Sequence, residues 1–370
     1  MPATDARAED AIAEAGRLMT VCNSCRYCEG LCAVFPAMEM RWSFSDGDLN
    51  YLANLCHGCG ACYYDCQFSP PHEFNVNVPR NLAEVRADSY AAYAWPPALA
   101  GLFARNGIVI AVIAALSIAA FIIGFVAFSD PSVLFASQLG AGAFYRLMPH
   151  NAMILLFGAA FLYAAFAITM SIRLFWRGIG EPKMIVDTTA LLSAANDAGR
   201  LRYLDGGGIG CYNDDERPAD RRKLYHHLTF YGFLLCFAST CVATLYHYLL
   251  AHPAPYPWYD LPVVLGTLGG IGLLVGPAGL IAAKWRRDPA LQDTPRYGMD
   301  VAFILMLFLT SLTGLALLVL RTTPAMGVLL ALHLGVVLAL FVTLPYGKFM
   351  HGVYRFAALV RYAKERSAGD

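Results

Sequence analysis

Long apolar stretches after residue 106 constrain this chain more than any other feature of its sequence. Crossing a bilayer as a helix takes about 20 mostly apolar residues, because lipid offers backbone amides no hydrogen-bond partners. Only 15% of the residues are charged and the mean hydropathy is +0.49, as expected of a membrane protein. We predict six transmembrane helices, over Gly107–Phe128, Asn151–Phe175, Tyr225–Leu250, Leu261–Ala283, Val301–Leu320 and Ala325–Tyr346.

The chain divides where the first apolar stretch begins. Residues 1–105 are polar and rich in cysteine, whereas residues 106–370 hold the six predicted spans and one long polar loop, 176–223. In the first part, Ala3–Met19, Asp48–Leu55 and Asn81–Tyr90 have the residue pattern of helices. We therefore predict an all-α fold, in which a helical N-terminal domain precedes a six-helix transmembrane bundle.

Charge distribution predicts the orientation in the membrane. With the N-terminus inside, nineteen Lys and Arg residues lie on the inner side from Arg105 onward, against two, Arg146 and Arg321, on the outer side. Lys and Arg favour the cytoplasmic side, so we predict a multi-pass protein of the bacterial inner membrane with both termini in the cytoplasm. Lys plus Arg and Asp plus Glu both number 27, and this balance gives no indication of a nucleic-acid partner.

The stretch from Thr4 to Met19 lacks the apolar core of a signal peptide, so the cysteines are expected in the reducing cytoplasm, where they are more suited to metal than to disulfides. Eight of the eleven cysteines form two runs with the same C-x2-C-x2-C-x3-C spacing. The runs are Cys22, Cys25, Cys28, Cys32 and Cys56, Cys59, Cys62, Cys66.

This is the spacing of bacterial two-cluster ferredoxins, in which three thiolates of one run and the fourth of the other hold each 4Fe–4S cluster. We predict one cluster on Cys22, Cys25, Cys28 and Cys66, and the other on Cys56, Cys59, Cys62 and Cys32. Ala33 and Gln67 stand where the ferredoxin pattern has proline. The alternative is structural zinc, but zinc sites usually present cysteines in pairs.

Histidines at membrane depth are candidate haem ligands, since ionisable side chains there are costly. His333 and His351 are eighteen residues apart, which is five helical turns, so we predict that both lie on one face of the sixth span. In the third span, His247 lies near the outer end and His226 near the inner end. We predict one or two b-type haems, with His247 and His333 as the outer pair and His226 and His351 as the inner pair. His227 is a substitute for His226, and the alternative for each lone histidine is ordinary packing.

These motifs resemble the tricarballylate or citrate utilisation protein B family along nearly the whole chain. The resemblance rests on the doubled cysteine run and on the stretches from His226 to Gly232 and from Leu344 to Phe349. The membrane half is also similar to the nitrate-reductase gamma class, in which histidines on two helices hold two haems. The family resemblance implies the eight cysteines as cluster ligands and an FAD-dependent tricarballylate dehydrogenase as partner.

We therefore expect a membrane electron-transfer protein that passes electrons from a reduced flavoprotein through two clusters and b-type haem to quinone. Because no substrate site is recognisable, its standing as an enzyme is left open, and a subunit of an oxidoreductase system fits best. One alternative is a haem-free membrane polyferredoxin that acts as a redox sensor or assembly factor. Another is an electron-transfer subunit of a different dehydrogenase or of a heterodisulfide-type reductase. The acid oxidised, the quinone site and the oligomeric state do not follow from the sequence.

Overall fold

The structure is a computed structural model that describes residues 3–181, 187–206, 208, 210 and 221–369. Every element within these residues is helical, so the predicted all-α fold is confirmed. The remainder of the predicted loop 176–223, namely 182–186, 207, 209 and 211–220, lies outside the described residues. What is described of that loop includes a helix, Thr188–Gly199.

The N-terminal domain consists of five helices around a compact core. They are α1 (Ala3–Cys25), α2 (Val34–Glu39), α3 (Asp46–Leu55), α4 (Ala61–Tyr64) and α5 (Val78–Ala92). A capping box starts α3, because the Ser45 hydroxyl accepts from the Asp48 backbone N–H while the Asp48 carboxylate accepts from Ser45. Helices α1 and α3 pack against α5, burying Leu18, Leu52 and Leu82 completely.

Within the described residues, the membrane half continues with nine further α-helices. They are α6 (Asn106–Phe128), α7 (Pro131–Leu134), α8 (His150–Gly178), α9 (Thr188–Gly199), α10 (Arg221–Leu249), α11 (Leu261–Trp285), α12 (Tyr297–Leu320), α13 (Met326–Thr343) and α14 (Met350–Gly369). Of these, α6, α8, α10, α11, α12 and α13 are long and apolar enough to cross a membrane. The predicted number of six spans is confirmed, with ends that differ by a few residues.

The end of the sixth span differs from the prediction. Helix α13 ends at Thr343, a 3-10 turn covers Leu344–Tyr346, and α14 begins only at Met350. Pro345 cannot supply the backbone N–H that an α-helix needs, and Gly347 is extended, with φ −148° and ψ −167°. His351 therefore lies on α14, and the prediction that it shares a face of one continuous helix with His333 is wrong.

Spans α10 and α11 touch through their backbones. A Cβ placed on Gly232 would lie 2.9 Å from the carbonyl oxygen of Gly269, and one on Gly272 would lie 2.9 Å from that of Leu228. Such close approach is possible only for residues without a side chain, and small residues commonly provide it in membrane bundles. The contact fixes the height of α10, which carries Arg222 and His226, against α11.

The N-terminal domain is joined to the end of the bundle by a network of charged side chains. Asp48 of α3 accepts hydrogen bonds from Arg41 (2.9 Å) and from Arg361 of α14 (3.0 Å). Tyr51 of α3 donates to Glu365 of α14 at 2.9 Å. The N-terminal domain and α14 consequently lie at the same side of the bundle, as an even number of spans requires.

Candidate cofactor sites

The cysteines of the two runs form two groups in space. Burial and the nearby thiols of Cys28, Cys66 and Cys25 raise the pKa of Cys22 to about 12. The pKa of Cys28 is raised as well, mainly by burial and then by the thiols of Cys66 and Cys25. The first group, Cys22, Cys25, Cys28 and Cys66, thus takes its fourth member from the second run.

The second group takes three cysteines from the second run and its fourth from the first run. Burial and the thiols of Cys59, Cys56 and Cys32 raise the pKa of Cys62. These four cysteines also line one small cavity. Both groups have the membership that crossed ligation requires, and the donors present, four thiols in each, fit a 4Fe–4S cluster. Ligation itself stays a prediction, and among the residues described no three His, Cys, Asp or Glu side chains are placed to hold a single metal ion.

Backbone N–H groups point at sulfur atoms in both groups. Gly58 has a positive φ of 57°, and its N–H donates to Cys56 Sγ at 3.3 Å. The N–H of Phe68 donates to Cys66 Sγ at 3.4 Å. Such hydrogen bonds stabilise negative charge on sulfur, and they are one of the means by which a protein sets a cluster's reduction potential.

Two buried arginines converge on the carbonyl oxygen of Cys56. Arg86 of α5 donates to it at 2.6 Å and to the carbonyl oxygen of Ala53 at 3.1 Å. Arg355 of α14 donates to the same Cys56 oxygen at 2.8 Å. Burial lowers the pKa of Arg355 to about 10, so its guanidinium is still charged at neutral pH.

Two more arginines reach the next carbonyls from the ends of the spans. Arg222 of α10 donates to the carbonyl oxygens of Gly58 (2.8 Å) and His57 (3.1 Å). Arg287, just after α11, donates to the Gly58 oxygen at 2.6 Å. We call the four residues the arginine collar: Arg86, Arg222, Arg287 and Arg355. Sequence reasoning missed this cluster, because it treated Arg222, Arg287 and Arg355 only as charges that set the orientation.

His226 and His351 face each other beside the collar. Their ring centroids are 6.1 Å apart and the rings are nearly perpendicular, at 74°. His351 Nδ1 hydrogen-bonds the carbonyl oxygen of Lys348, while the buried Nδ1 of His226 has no hydrogen-bond partner among the described residues. The structure thus brings together the predicted inner pair, although His351 lies on a different helix from the one predicted. His227 instead stacks on Tyr231, at a centroid distance of 5.9 Å.

The histidines at the other end of the bundle are arranged differently. His247 stacks on His150, with ring centroids 3.8 Å apart and planes at 29°. His333 hydrogen-bonds Thr313 Oγ1 through its Nδ1, at 3.1 Å. Within the described part of the chain, no ring contact joins His247 to His333. The sequence predicts His150 in an outer loop, either solvated or next to quinone, whereas in the structure it is the first residue of α8.

A cavity of about 910 Å³ lies between the second cysteine group and the spans. His57 and Gly58 line it on the cluster side, and His226 and His351 line it on the membrane side. Apolar side chains such as Phe233 and Phe303 form much of the remaining wall, with Arg222, Arg287, Lys284 and Lys348 at its polar end. A mostly apolar cavity of this volume with a few charged groups is typical of a site for a large cofactor.

The inner histidines fit a haem, whereas the outer pair, His247 and His333, stays a prediction. With metal–nitrogen bonds of about 2 Å and each ring centroid about 1 Å beyond its nitrogen, two imidazoles on one iron stand about 6 Å apart. His226 and His351 meet this distance beside a large cavity, and the unpartnered Nδ1 of His226 is explained if that side chain binds a ligand. The rings of His150 and His247 are too close to admit an iron between them.

Comparison with known proteins gives consistent results for both halves. A family model described as the citrate utilization protein B Fer4-like domain matches residues 15–92, and one described as citrate utilization protein B matches residues 101–370. A protein of Escherichia coli named citrate utilization protein B is 49% identical over 360 residues, which cover 96% of this chain and 93% of that protein. No solved structure matches this chain. The protein belongs to the citrate utilization protein B family.

Proposed function

We propose that this protein carries electrons from a reduced flavoprotein dehydrogenase through two 4Fe–4S clusters and b-type haem to the quinone pool. The observation that carries the proposal is the sequence of sites at one end of the bundle. Two groups of four cysteines lie in the N-terminal domain, and the cavity lined by His226 and His351 is also lined by His57 and Gly58, which lie in the loop between Cys56 and Cys59 of the second group. When bound, the clusters and the haem supply the one-electron chemistry.

The chain's own residues position and tune these groups. Eight thiols hold the clusters, and the N–H groups of Gly58 and Phe68 donate to two of the sulfurs. His226 and His351, whose ring centroids are 6.1 Å apart, would provide one nitrogen each, and the Lys348 carbonyl fixes which His351 nitrogen is free to bind. Burial and the neighbouring Arg355 lower the pKa of His351, which keeps its imidazole neutral and able to ligate.

Exposed aromatic side chains beside the first cysteine group support docking of the flavoprotein there. Tyr27, between Cys25 and Cys28, is 73% exposed, and Trp42 is fully exposed. Asn23 donates to the carbonyl oxygen of Arg41 at 3.0 Å, which brings Trp42 close to the first group. The E. coli relative is named for citrate utilization, and we propose an FAD-dependent tricarballylate dehydrogenase as the partner here.

The test is to purify the protein in detergent without oxygen and measure its cofactors. We expect about eight iron and about eight acid-labile sulfide per chain beyond any haem iron, as two 4Fe–4S clusters require. Reduction is expected to give a b-type α-band from one haem. Adding the flavoprotein, its acid substrate and a quinone analogue is expected to give quinone reduction that the Trp42→Ala variant slows.

Other outcomes would select other functions. Clusters without haem would support the haem-free polyferredoxin that acts as a redox sensor or assembly factor. Clusters and haem without reduction by the tricarballylate enzyme would indicate a different dehydrogenase or a heterodisulfide-type reductase. Zinc, or no iron and sulfide, would contradict the proposal as a whole.

A further inference from the structure

The surroundings of the two cysteine groups differ in charge and exposure. In the first group Cys25 is exposed, and the neighbouring charged residues Arg26 and Asp65 are exposed as well. In the second group Cys56 and Cys59 are 7% and 8% exposed, and the arginine collar encloses the carbonyls beside them. Charges in water are strongly screened, whereas charges in a buried or partly buried site are screened much less.

The collar adds positive charge without an equal number of carboxylates. Within the described residues Arg86, Arg222 and Arg355 form no ion pair, and they donate hydrogen bonds to backbone carbonyls. These guanidinium groups place fixed positive charge beside the second group.

This charge matters because reduction of a cluster adds one negative charge. Burial by itself opposes the extra charge, so the second cluster would be the harder one to reduce if its surroundings were neutral. Fixed positive charges nearby favour the reduced form. Arg222 and Arg287 donate to the Gly58 carbonyl from the ends of α10 and α11. The second group is therefore also the one next to the membrane.

We propose that the arginine collar raises the reduction potential of the second cluster above that of the first and thereby directs electrons from the first cluster toward the membrane. This inference rests on the proposed electron-transfer function. In each step one electron leaves the first cluster and one enters the second, with no bond or proton exchanged. The electron comes from reduced flavin, and the second cluster passes it to the haem and quinone.

The test is a redox titration of the purified holoprotein followed by EPR. Cys25→Ser, at the exposed cysteine of the first group, assigns the two signals because it is expected to perturb only the first cluster. Arg355→Gln removes one collar charge, Arg355→Lys keeps it, and Arg80→Gln is the control, because Arg80 lies on the same helix as Arg86 with its side chain 54% exposed. Iron and sulfide are measured for each variant. If Arg355→Gln loses iron, Arg222→Gln, at the end of a span, replaces it.

We expect the second cluster of the wild type to have the higher potential. Arg355→Gln is expected to shift the reduction equilibrium of the second cluster alone by about tenfold toward the oxidised form, about 59 mV for one electron. Arg355→Lys should restore most of the shift, and Arg80→Gln should cause none. Equal wild-type potentials, an unshifted second cluster, or equal shifts in both would overturn the inference, while the iron content shows separately whether the proposed function stands.

Discussion

Cys66 belongs to the first cysteine group although it lies in the second run of the sequence. Its thiol acts on Cys22 and Cys28, which precede it by about forty residues, and Cys32 makes the reciprocal connection to Cys56 and Cys59. Each cluster would thus tie together both halves of a small domain. Loss of one cysteine removes a ligand and a cross-link at the same time.

Crossed ligation predicts which variants resemble each other. Cys66→Ser should damage the same EPR signal as Cys25→Ser, and a different one from Cys62→Ser, even though Cys62 and Cys66 are only four residues apart. Each variant should lose about half of the cluster iron. Cys241→Ser is the control, because Cys241 is an exposed residue of α10 outside both groups. If Cys66→Ser and Cys62→Ser changed the same signal, each run would hold its own cluster.

Two adjacent histidines provide an internal comparison for the haem. His226 faces His351, whereas His227 stacks on Tyr231. His226→Ala should abolish the b-type α-band, since a bis-histidine site cannot hold haem firmly with one ligand. His227→Ala should retain it. The measurement is the haem content per chain after purification, and loss of haem in both variants or in the His227 variant alone would reject the assignment.

At the scale of elements, the six spans and the two cysteine runs could be predicted because each follows a local rule, of length and hydropathy or of spacing. The break between α13 and α14 could be predicted only in part. Pro345 indicated a kink, but the sequence did not show that the chain would restart as a separate helix at Met350. The collar and the His150–His247 contact arise from residues far apart in sequence, so no local pattern reveals them.

The glycine contact between α10 and α11 gives a prediction for stability. In Gly269→Ala the new Cβ would lie 2.8 Å from the carbonyl oxygen of Gly232, so the helices must move apart, at a cost of about 1–3 kcal/mol. Gly124→Ala is the control, because no atom lies within 4 Å of a Cβ there and alanine favours the helix by up to about 1 kcal/mol. The thermal unfolding midpoint in detergent should fall for the first and not for the second.

The contact between α3 and α14 gives a second prediction for stability. Burial alone would raise the pKa of Asp48, but hydrogen bonds from Ser45 and Arg41 hold it at about 2. Because the pKa is depressed, the ionised carboxylate stabilises the fold fully at pH values above its ordinary pKa of 3.8. This stabilisation is lost as the pH falls through about 2. At neutral pH, Asp48→Asn should therefore cost about 2 kcal/mol.

The thermal midpoint of Asp48→Asn at neutral pH checks this value. Asp10→Asn serves as its control, since Asp10 is an exposed residue of α1. A midpoint for Asp48→Asn equal to that of the control would show that the hydrogen bonds and ion pairs of Asp48 contribute little.

For the molecule as a whole, the orientation in the membrane is a proposal that rests on charge. Nineteen Lys and Arg residues on the side of the N-terminal domain oppose two on the other. Alkaline phosphatase fused after Ser129 should be active, because that loop is expected in the periplasm, and the same enzyme fused after Arg366 should be inactive. The reverse pattern would place the cysteine groups outside the cell.

The loop from Cys56 to Gly58 has a consequence for how the whole protein moves. The backbone carbonyls of these residues accept hydrogen bonds from side chains of α5, α10, α14 and the segment after α11. A domain on a flexible linker would move between its electron donor and its electron acceptor. Here the hydrogen bonds between one loop and several helices hold the N-terminal domain in a fixed position. Under the proposed function, electrons would then cross a fixed distance, and only the soluble partner would need to associate and dissociate.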